Sequence, residues 1–129
     1  MTQPRTALVA DDDAGSRRLL VRLLERHGWQ VLEASDGQAA LECSEKVPLD
    51  LVLMDLRMPG PVDGLRAAFL MRQNPACREV PIIAISGSPS KEFRQRAFAA
   101  GCSAFLAKPV NLNQLLYQVE LLTHVKEAR

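Results

Sequence analysis

The chain has 129 residues, 47% hydrophobic and 24% charged, and its 16 Lys and Arg residues nearly balance its 15 Asp and Glu residues. This length predicts a single domain spanning residues 1–129, because it suffices for one hydrophobic core but hardly for two. The net charge of +1 argues against a nucleic-acid-binding protein, and the lack of about 18 consecutive apolar residues argues against a membrane span.

The cysteines and the N-terminus indicate where the protein works. The first residues lack the apolar stretch of a secretory signal peptide. Cys43, Cys77 and Cys102 are odd in number, far apart and never arranged as CxxC, so we expect idle or buried thiols rather than a metal site or a redox pair. A reducing cytoplasm is the simplest interpretation.

Short apolar runs alternate with segments of helical periodicity, which is typical of an α/β fold. In the first part of the chain, strands are predicted at residues 6–10 and 30–34. The helix between them ends near Gly28, and Asp36 is the predicted N-cap of the next helix. The apolar spacing places four residues of each helix on its inner face: Leu19, Leu20, Leu23 and Leu24 in the first, and Ala39, Ala40, Cys43 and Val47 in the second.

The rest of the chain repeats this alternation three times. Strands are predicted at residues 49–54, 82–85 and 104–107, and the loop 57–64 is rich in turn-forming residues. Asn111-x-x-Gln114 resembles a capping box at the start of the last helix. The last three helices are predicted from Leu65, Ala68, Phe69 and Arg72; from Phe93, Ala97 and Ala100 on one face; and from Leu112, Leu115, Leu116, Val119 and Leu122 at the 3.6-residue period. Five strands and five helices joined by right-handed crossovers predict a doubly wound parallel sheet in a three-layer α/β/α sandwich.

Polar residues follow four of the predicted strands. They are Asp11-Asp12-Asp13 after the first, Asp55 after the third, Ser86-Gly87 after the fourth and Lys108-Pro109 after the fifth. Because the carboxyl ends of parallel strands share one edge of the sheet, these residues should converge on one acidic pocket with a single lysine. We interpret Asp13 as the N-cap of the first helix rather than as a ligand.

This set of residues predicts phosphoryl chemistry with a divalent cation. Two carboxylates about 4 Å apart repel by roughly 4 kcal/mol at a dielectric constant near 20, so Asp11, Asp12 and Asp55 together need a cation. Mg²⁺ fits best, because it prefers carboxylate and phosphate oxygens. Lys108 supplies a second positive charge, and Ser86 can donate a hydrogen bond to the same group. Asp55 is the best nucleophile, since carboxylates form acyl phosphates.

Over nearly its whole length, the chain resembles the receiver domain of bacterial two-component response regulators. The matching motifs are Asp11-Asp12, Asp55 with Met58-Pro59, Asp63-Gly64, Ser86-Gly87 and Lys108-Pro109. The resemblance implies a flavodoxin-like fold, a cis Lys108–Pro109 bond and a signalling domain rather than an enzyme. It also implies phosphoryl transfer to Asp55 from a histidine kinase or a histidine phosphotransfer protein, and Mg²⁺ held by Asp12, Asp55 and the backbone carbonyl of Arg57.

The resemblance also implies a conformational switch. Phe105, three residues before the lysine, matches the aromatic switch position of the family. Ser86 is expected to move toward the phosphoryl group, and Phe105 to rotate inward into the vacated space, which changes the surface of the last helices. A dimer through those helices is a further expectation. The family docks its kinase through the first helix, where Arg18, Arg22 and Arg26 recur, although a solvated face is the simpler interpretation of these arginines.

Two features depart from the family or stay open. Gly60-Pro61-Val62 makes the loop after Asp55 one residue longer than the usual pattern. Arg57 and Ser88 occupy positions that tune the lifetime of the phosphoryl group in the family, and the sign of the Arg57 effect is open.

Two other functions remain as alternatives. One is a phosphorylation-independent interaction module of the same architecture. The intact set of Asp11, Asp12, Asp55 and Lys108 argues against it. The other is a haloacid-dehalogenase-type phosphatase, because Asp11-x-Asp13 resembles the first motif of that family. That family needs a further acidic pair after the lysine, and only Glu120 and Glu127 follow Lys108.

Overall fold

The computed structural model describes residues 4–127, with side chains through residue 123, so residues 1–3, 128 and 129 of the predicted domain lie outside the described residues. The strands are β1 Thr6–Ala10, β2 Gln30–Ala34, β3 Leu51–Asp55, β4 Ile82–Ser86 and β5 Ala104–Ala107. The helices are α1 Ala14–Arg26, α2 Gly37–Lys46, α3 Gly64–Gln73, α4 Lys91–Ala99 and α5 Leu112–Glu127. A short 3₁₀ helix at Pro75–Cys77, absent from the sequence-based prediction, follows α3.

The five strands form one parallel sheet in the order β2-β1-β3-β4-β5. This confirms the predicted doubly wound, flavodoxin-like architecture. The chain leaves β1 toward one edge of the sheet and builds β3, β4 and β5 toward the other, so β1 and β3 are neighbours at the point where the winding reverses. Ligands of open α/β sheets bind at such a point. The register pairs Ala10 with Met54, which places Asp11 and Asp55 side by side.

Each face of the sheet carries its own core. One face packs against α1 and α5, and the other against α2, α3 and α4. Strand β3 is buried at all five positions because helices cover both of its faces. Burial on both faces explains why the strands read as continuous apolar runs rather than as alternating patterns.

All five α-helices begin at a side chain that caps the first turn. Asp13, Asp36, Asp63, Ser90 and Asn111 each accept the backbone N–H of the residue three positions later, at 2.7–3.1 Å. Such caps satisfy backbone donors that a helix leaves unpaired. The prediction that Asp13 is an N-cap is therefore confirmed.

The predicted apolar stripe of the first helix was partly wrong, because Leu19 is 53% exposed and the buried face of α1 is centred on Leu20, Val21 and Leu24. In α2 the predicted Ala39 and Cys43 are half-buried and pack against the core beside the buried Ala40, and Ser44 is buried as well. The Ser44 hydroxyl donates to the Leu41 carbonyl at 2.7 Å, which satisfies it within its own helix. No helix among the described residues is long and apolar enough to cross a bilayer.

Candidate functional site

The acidic residues at the ends of β1 and β3 form one cluster. Carboxylate oxygens of Asp11, Asp12 and Asp55 all lie within 4.8 Å of one another. Asp11 and Asp55 are buried, whereas Asp12 is exposed and opens the cluster to solvent. The structure therefore brings together the three carboxylates that the sequence placed at this edge.

Lys108, which follows β5, contacts the cluster directly. Its ammonium donates to Asp55 Oδ2 at 3.0 Å and to Asp11 Oδ2 at 3.3 Å. Burial disfavours the charged ammonium, but the hydrogen bonds and negative charges of Asp55 and Asp11 outweigh this and raise the pKa of Lys108. The Lys108 backbone N–H donates to the Ser86 carbonyl at 2.8 Å, and the Lys108–Pro109 peptide bond is cis, as the family resemblance implied.

The second oxygen of each buried carboxylate accepts a backbone N–H. Asp11 Oδ1 accepts from Asp13 at 2.9 Å, and Asp55 Oδ1 accepts from Arg57 at 3.1 Å. Burial raises the pKa of Asp55, the bonds from Lys108 and the Arg57 N–H lower it, and the Asp11 charge raises it; the net change is upward. Asp55 is thus held by hydrogen-bond donors, while burial and the neighbouring Asp11 charge disfavour its ionised form.

The charge of the cluster fits a divalent cation. The formal charges of the three carboxylates and the Lys108 ammonium sum to −2, and every carboxylate ligand atom is an oxygen. Hard cations such as Mg²⁺ prefer such donors. The Arg57 backbone N–H bond to Asp55 places this residue beside the cluster, and the participation of its carbonyl as a ligand remains a prediction.

Arg17, in the first turn of α1, holds the loop that carries Asp11, and the sequence analysis missed it. Its Nη1 donates to the Asp11 carbonyl at 2.8 Å, and its Nε pairs with Glu33 at 2.9 Å. Glu33 lies at the end of β2, far away in sequence. No local pattern pairs these residues, because their contact exists only once α1 packs beside β2.

Two glycines allow close approach of the loop after Asp55. A Cβ on Gly64 would lie 2.1 Å from the Asp55 carbonyl oxygen, and a Cβ on Gly37 would lie 2.1 Å from the Val62 carbonyl oxygen. Neither position can therefore carry a side chain without a backbone shift. The longer loop segment Gly60-Pro61-Val62 thus meets the start of α2 through Val62, and Gly60 adopts a φ of 92°.

The remaining predicted site residues lie on β4 and β5. The Ser86 hydroxyl accepts the Ser88 N–H at 3.0 Å and donates to the Ser88 carbonyl at 3.3 Å, so it is engaged within its own loop. The Phe105 ring already lies inward, with 8% exposed, and the Arg94 guanidinium lies 5.8 Å from its centroid. The sequence predicted the positions of both residues on the sheet but not these contacts.

The comparison with protein families decides the identity of this fold and site. The response regulator receiver domain family matches residues 7–120. The chain belongs to this family. It is a receiver domain of two-component systems, a signalling domain rather than an enzyme, and phosphoryl acceptance and Mg²⁺ binding at an acidic site are typical of its family.

A curated relative of this receiver domain is the transcriptional regulatory protein PdtaR of Mycobacterium tuberculosis (strain CDC 1551 / Oshkosh). It is 36% identical over 119 residues, which are 92% of this chain and 56% of PdtaR. The chain therefore spans about half the length of that relative.

Three solved structures share the fold of this receiver domain. Vibrio cholerae chemotaxis protein CheY4 is 27% identical, with a TM-score of 0.87, over 93% of this chain and 99% of that chain. The receiver domain of a Pseudomonas aeruginosa PAO1 sensor histidine kinase, with a magnesium ion in its active site cleft, is 27% identical (TM-score 0.86; 95% and 99% covered). The receiver domain of Saccharomyces cerevisiae Ssk1, solved with the histidine phosphotransfer protein Ypd1, is 25% identical (TM-score 0.86; 98% and 93% covered).

Proposed function

We propose that Asp55 is the phosphoryl acceptor of this receiver domain. A carboxylate oxygen of Asp55 attacks the phosphorus of a phosphohistidine, the P–N bond breaks, and the histidine ring of the donor leaves with the bonding electrons. The observation that supports this role most strongly is the Lys108 ammonium 3.0 Å from Asp55 Oδ2, in a cluster whose formal charge is −2. Of the three clustered carboxylates, Asp55 ends the strand that runs through the middle of the sheet.

The other residues of the cluster support the transfer by charge. Lys108 balances the negative charge that the phosphoryl group brings. Asp11, Asp12, Asp55 and the backbone carbonyl of Arg57 would hold Mg²⁺, as the magnesium-bound neighbour suggests. A bound Mg²⁺ would neutralise phosphoryl oxygens. With these groups in place, the domain assists its own phosphorylation and dephosphorylation.

Labelling with acetyl phosphate tests this proposal. We expect intact-mass spectrometry to show one added phosphoryl group in the presence of Mg²⁺, and none after chelation or in Asp55→Asn. Asp13→Asn is the matched control, because asparagine also caps helices and this residue serves α1 rather than the cluster. Equal labelling of Asp55→Asn and the wild type would contradict the assignment.

The same experiment separates the alternatives. A phosphorylation-independent interaction module would show no labelling at all. A haloacid-dehalogenase-type phosphatase would turn over phosphomonoesters, and the second aspartate of its motif would have to act on substrate. Asp13 instead caps α1 through the Ser16 N–H at 2.8 Å, which speaks against the phosphatase.

We propose Ser86 and Phe105 as the switch. Ser86 would exchange its bonds to Ser88 for one to the phosphoryl group, and this would stabilise the inward position that Phe105 adopts here over an outward one. Structures with and without a phosphoryl mimic are the test. The same Phe105 rotamer in both would contradict the switch.

We propose that the phosphodonor protein docks on α1. A cavity of about 440 Å³ beside Asp11 and Lys108 is lined by Leu19 and Pro109, so the exposed Leu19 borders the site. Reversing the charge of the exposed Arg18 and Arg22 should slow transfer from a histidine phosphotransfer protein about tenfold or more, without changing acetyl phosphate labelling. Charge reversal of Arg66 and Arg78, which are exposed elsewhere, is the control.

Three broader features complete the proposal. We propose that residues 1–129 belong to one receiver domain, and that the protein works in a reducing cytoplasm, which the free thiols Cys43, Cys77 and Cys102 suit. The exposed Tyr117 and Leu121 on α5 suit a dimer through the last helices. Sedimentation velocity before and after phosphorylation checks the dimer.

A further inference from the structure

The side chains of Arg57, Phe93 and Arg96 form a cluster that the phosphoryl chemistry above does not use. The guanidinium carbons of Arg57 and Arg96 lie 5.8 and 5.7 Å from the centroid of the Phe93 ring. Both distances are within the range of cation–π contacts. The ring belongs to α4, whereas Arg57 belongs to the loop after the acceptor strand. The cluster therefore joins this loop to α4.

The same residues line a cavity that opens on the acidic cluster. This cavity of about 430 Å³ has Asp12 in its wall, together with Arg57, Phe93 and Arg96. Asp12 is the exposed carboxylate of the cluster. A cation entering the acidic site from solvent and the Arg57 guanidinium thus share one space.

The backbone of Arg57 lies beside the carboxylates, whereas its guanidinium lies on the Phe93 ring. Its backbone N–H donates to Asp55 Oδ1 at 3.1 Å, whereas its guanidinium forms no ion pair with any carboxylate within the part of the chain whose side chains the structure describes. Both oxygens of Asp55 already have donors, from Lys108 and from the Arg57 N–H. Asp12 and Asp63 are the two carboxylates in the wall of this cavity, and of these only Asp12 belongs to the acidic cluster, so a guanidinium that pairs with Asp12 would compete with a cation there.

We propose that Phe93 is a positioning residue that holds the Arg57 guanidinium away from Asp12 and so keeps it from competing with Mg²⁺. This inference rests on the proposed function, in which Asp12 is a metal ligand. Two forces favour release of Arg57 toward Asp12: attraction by the carboxylates and repulsion by Arg96 on the same ring. The contact with the ring opposes both. The chain thereby tunes its metal affinity with a residue that does not touch the metal.

Titration calorimetry of Mg²⁺ binding tests the proposal. We expect Phe93→Leu, which keeps an apolar side chain but removes the π face, to weaken Mg²⁺ binding two- to fivefold, or about 0.4–1 kcal/mol. Phe93→Tyr, which retains an aromatic face, should keep the wild-type affinity. Arg57→Met, which has no guanidinium to release, supplies the reference background, and its own Mg²⁺ affinity is measured first. Should Phe93→Leu not fold, Phe93→Met removes the ring with a side chain that adapts to the same space.

The double variant separates positioning from structural damage. In the Arg57→Met background, Phe93→Leu should have no effect on Mg²⁺ affinity, because no guanidinium remains to be released. Phe98→Leu is the matched control, since Phe98 is an exposed phenylalanine of the same helix whose ring contacts Arg94 instead. Equal weakening by Phe93→Leu in both backgrounds, or none in either, would overturn the proposal.

Failure of this inference differs from failure of the proposed function. A wild-type chain that binds no Mg²⁺ and accepts no phosphoryl group overturns both. A wild-type chain that binds Mg²⁺ and is labelled on Asp55, but whose affinity is indifferent to the Phe93 ring, overturns only the positioning role.

Discussion

Lys108 and Arg72 are both partly buried cations, but they lie at opposite edges of the sheet and contact different acceptors. Lys108 follows β5 at the carboxyl edge and donates to the carboxylates of Asp11 and Asp55. Arg72, in the last turn of α3, reaches the segments that precede β4 and β5 at the amino edge. Its close acceptors are the backbone carbonyls of Gly101, Cys77 and Val80, at 2.9, 2.7 and 2.7 Å.

The two cations respond to burial in opposite ways. Burial lowers the pKa of Arg72, since no carboxylate among its contacts compensates the lost hydration. The pKa of Lys108 is raised despite burial, because Asp55 and Asp11 carry charge. Carboxylates that bind one cation can still bind another, because they carry negative charge. Neutral carbonyls carry no net charge, so the cation that they bind only joins segments of backbone. The carboxyl edge of the sheet is thus suited to binding and releasing ligands, and the amino edge to stabilising the fold.

Removing the guanidinium of Arg72 should have the largest effect. Arg72→Met removes the guanidinium from three carbonyls, of which Cys77 keeps only the long bond from the Val80 N–H at 3.4 Å. We expect the free energy of unfolding to fall by about 2–4 kcal/mol, because bonds to charged donors are strong and buried acceptors are costly to leave unpaired. Urea unfolding measures this loss. Arg66→Met, at an exposed position of the same helix, should change stability by less than about 0.5 kcal/mol. Phosphoryl labelling of the folded Arg72→Met protein should equal that of the wild type, and reduced labelling would contradict the separation of the two edges.

Cys102 makes the amino edge sensitive to alkaline pH. Burial raises the pKa of its thiol from 9.0 to about 11, against the opposing charge of Arg72. Because the folded pKa exceeds the unfolded value, the stabilisation is fully present below pH 9 and is lost as the pH rises toward 11. We expect the wild type to lose about 2 kcal/mol relative to Cys102→Ala over this window, since each pKa unit corresponds to about 1.4 kcal/mol. A constant difference between the two proteins from pH 8 to 11 would refute this assignment.

The parts of this fold that depend on local sequence were predicted. Runs of apolar residues indicated the five strands. Asp13 and Asp36 marked helix starts, because the side chain of an N-cap binds a backbone N–H only three residues later in the chain. The acidic edge followed from one rule, that parallel strands end at a common edge. Lys108 and Asp55 therefore met as expected, although 53 positions separate them.

Contacts between elements could not be predicted in the same way. Gly37 accommodates Val62 only because α2 and the loop after β3 are adjacent in space. Arg72 was correctly assigned to the third helix, but its role depends on carbonyls of two later segments. Ser44 was missed because a serine reads as polar, whereas its hydroxyl is satisfied within the helix. Such features depend on packing geometry, which a single sequence does not display.

Lys108→Met tests whether Lys108 and Mg²⁺ interact with the same carboxylates. Removing the ammonium leaves Asp11 and Asp55 without their shared partner, so Mg²⁺ should bind about tenfold more tightly, or about 1.4 kcal/mol. Labelling by acetyl phosphate should nevertheless slow, because no ammonium balances the incoming charge. Calorimetry and intact mass measure the two effects, and the exposed Lys46 provides the control variant Lys46→Met. An unchanged Mg²⁺ affinity would mean that Lys108 and the metal do not interact with the same carboxylates.

Arg17 donates both to a backbone carbonyl and to a carboxylate, and its removal should have the smallest effect on stability. It donates to the Asp11 carbonyl at 2.8 Å, as Arg72 does to its carbonyls, and pairs with the half-exposed Glu33 at 2.9 Å, as Lys108 does with carboxylates. An ion pair this exposed contributes little, so Glu33→Gln should cost less than about 0.5 kcal/mol in urea unfolding. Arg17→Met should cost about 1 kcal/mol, because it also removes the bond to the carbonyl. If both variants cost the same, the carbonyl bond contributes nothing, and the stabilising role assigned to carbonyl-bound cations would not extend to the carboxyl edge.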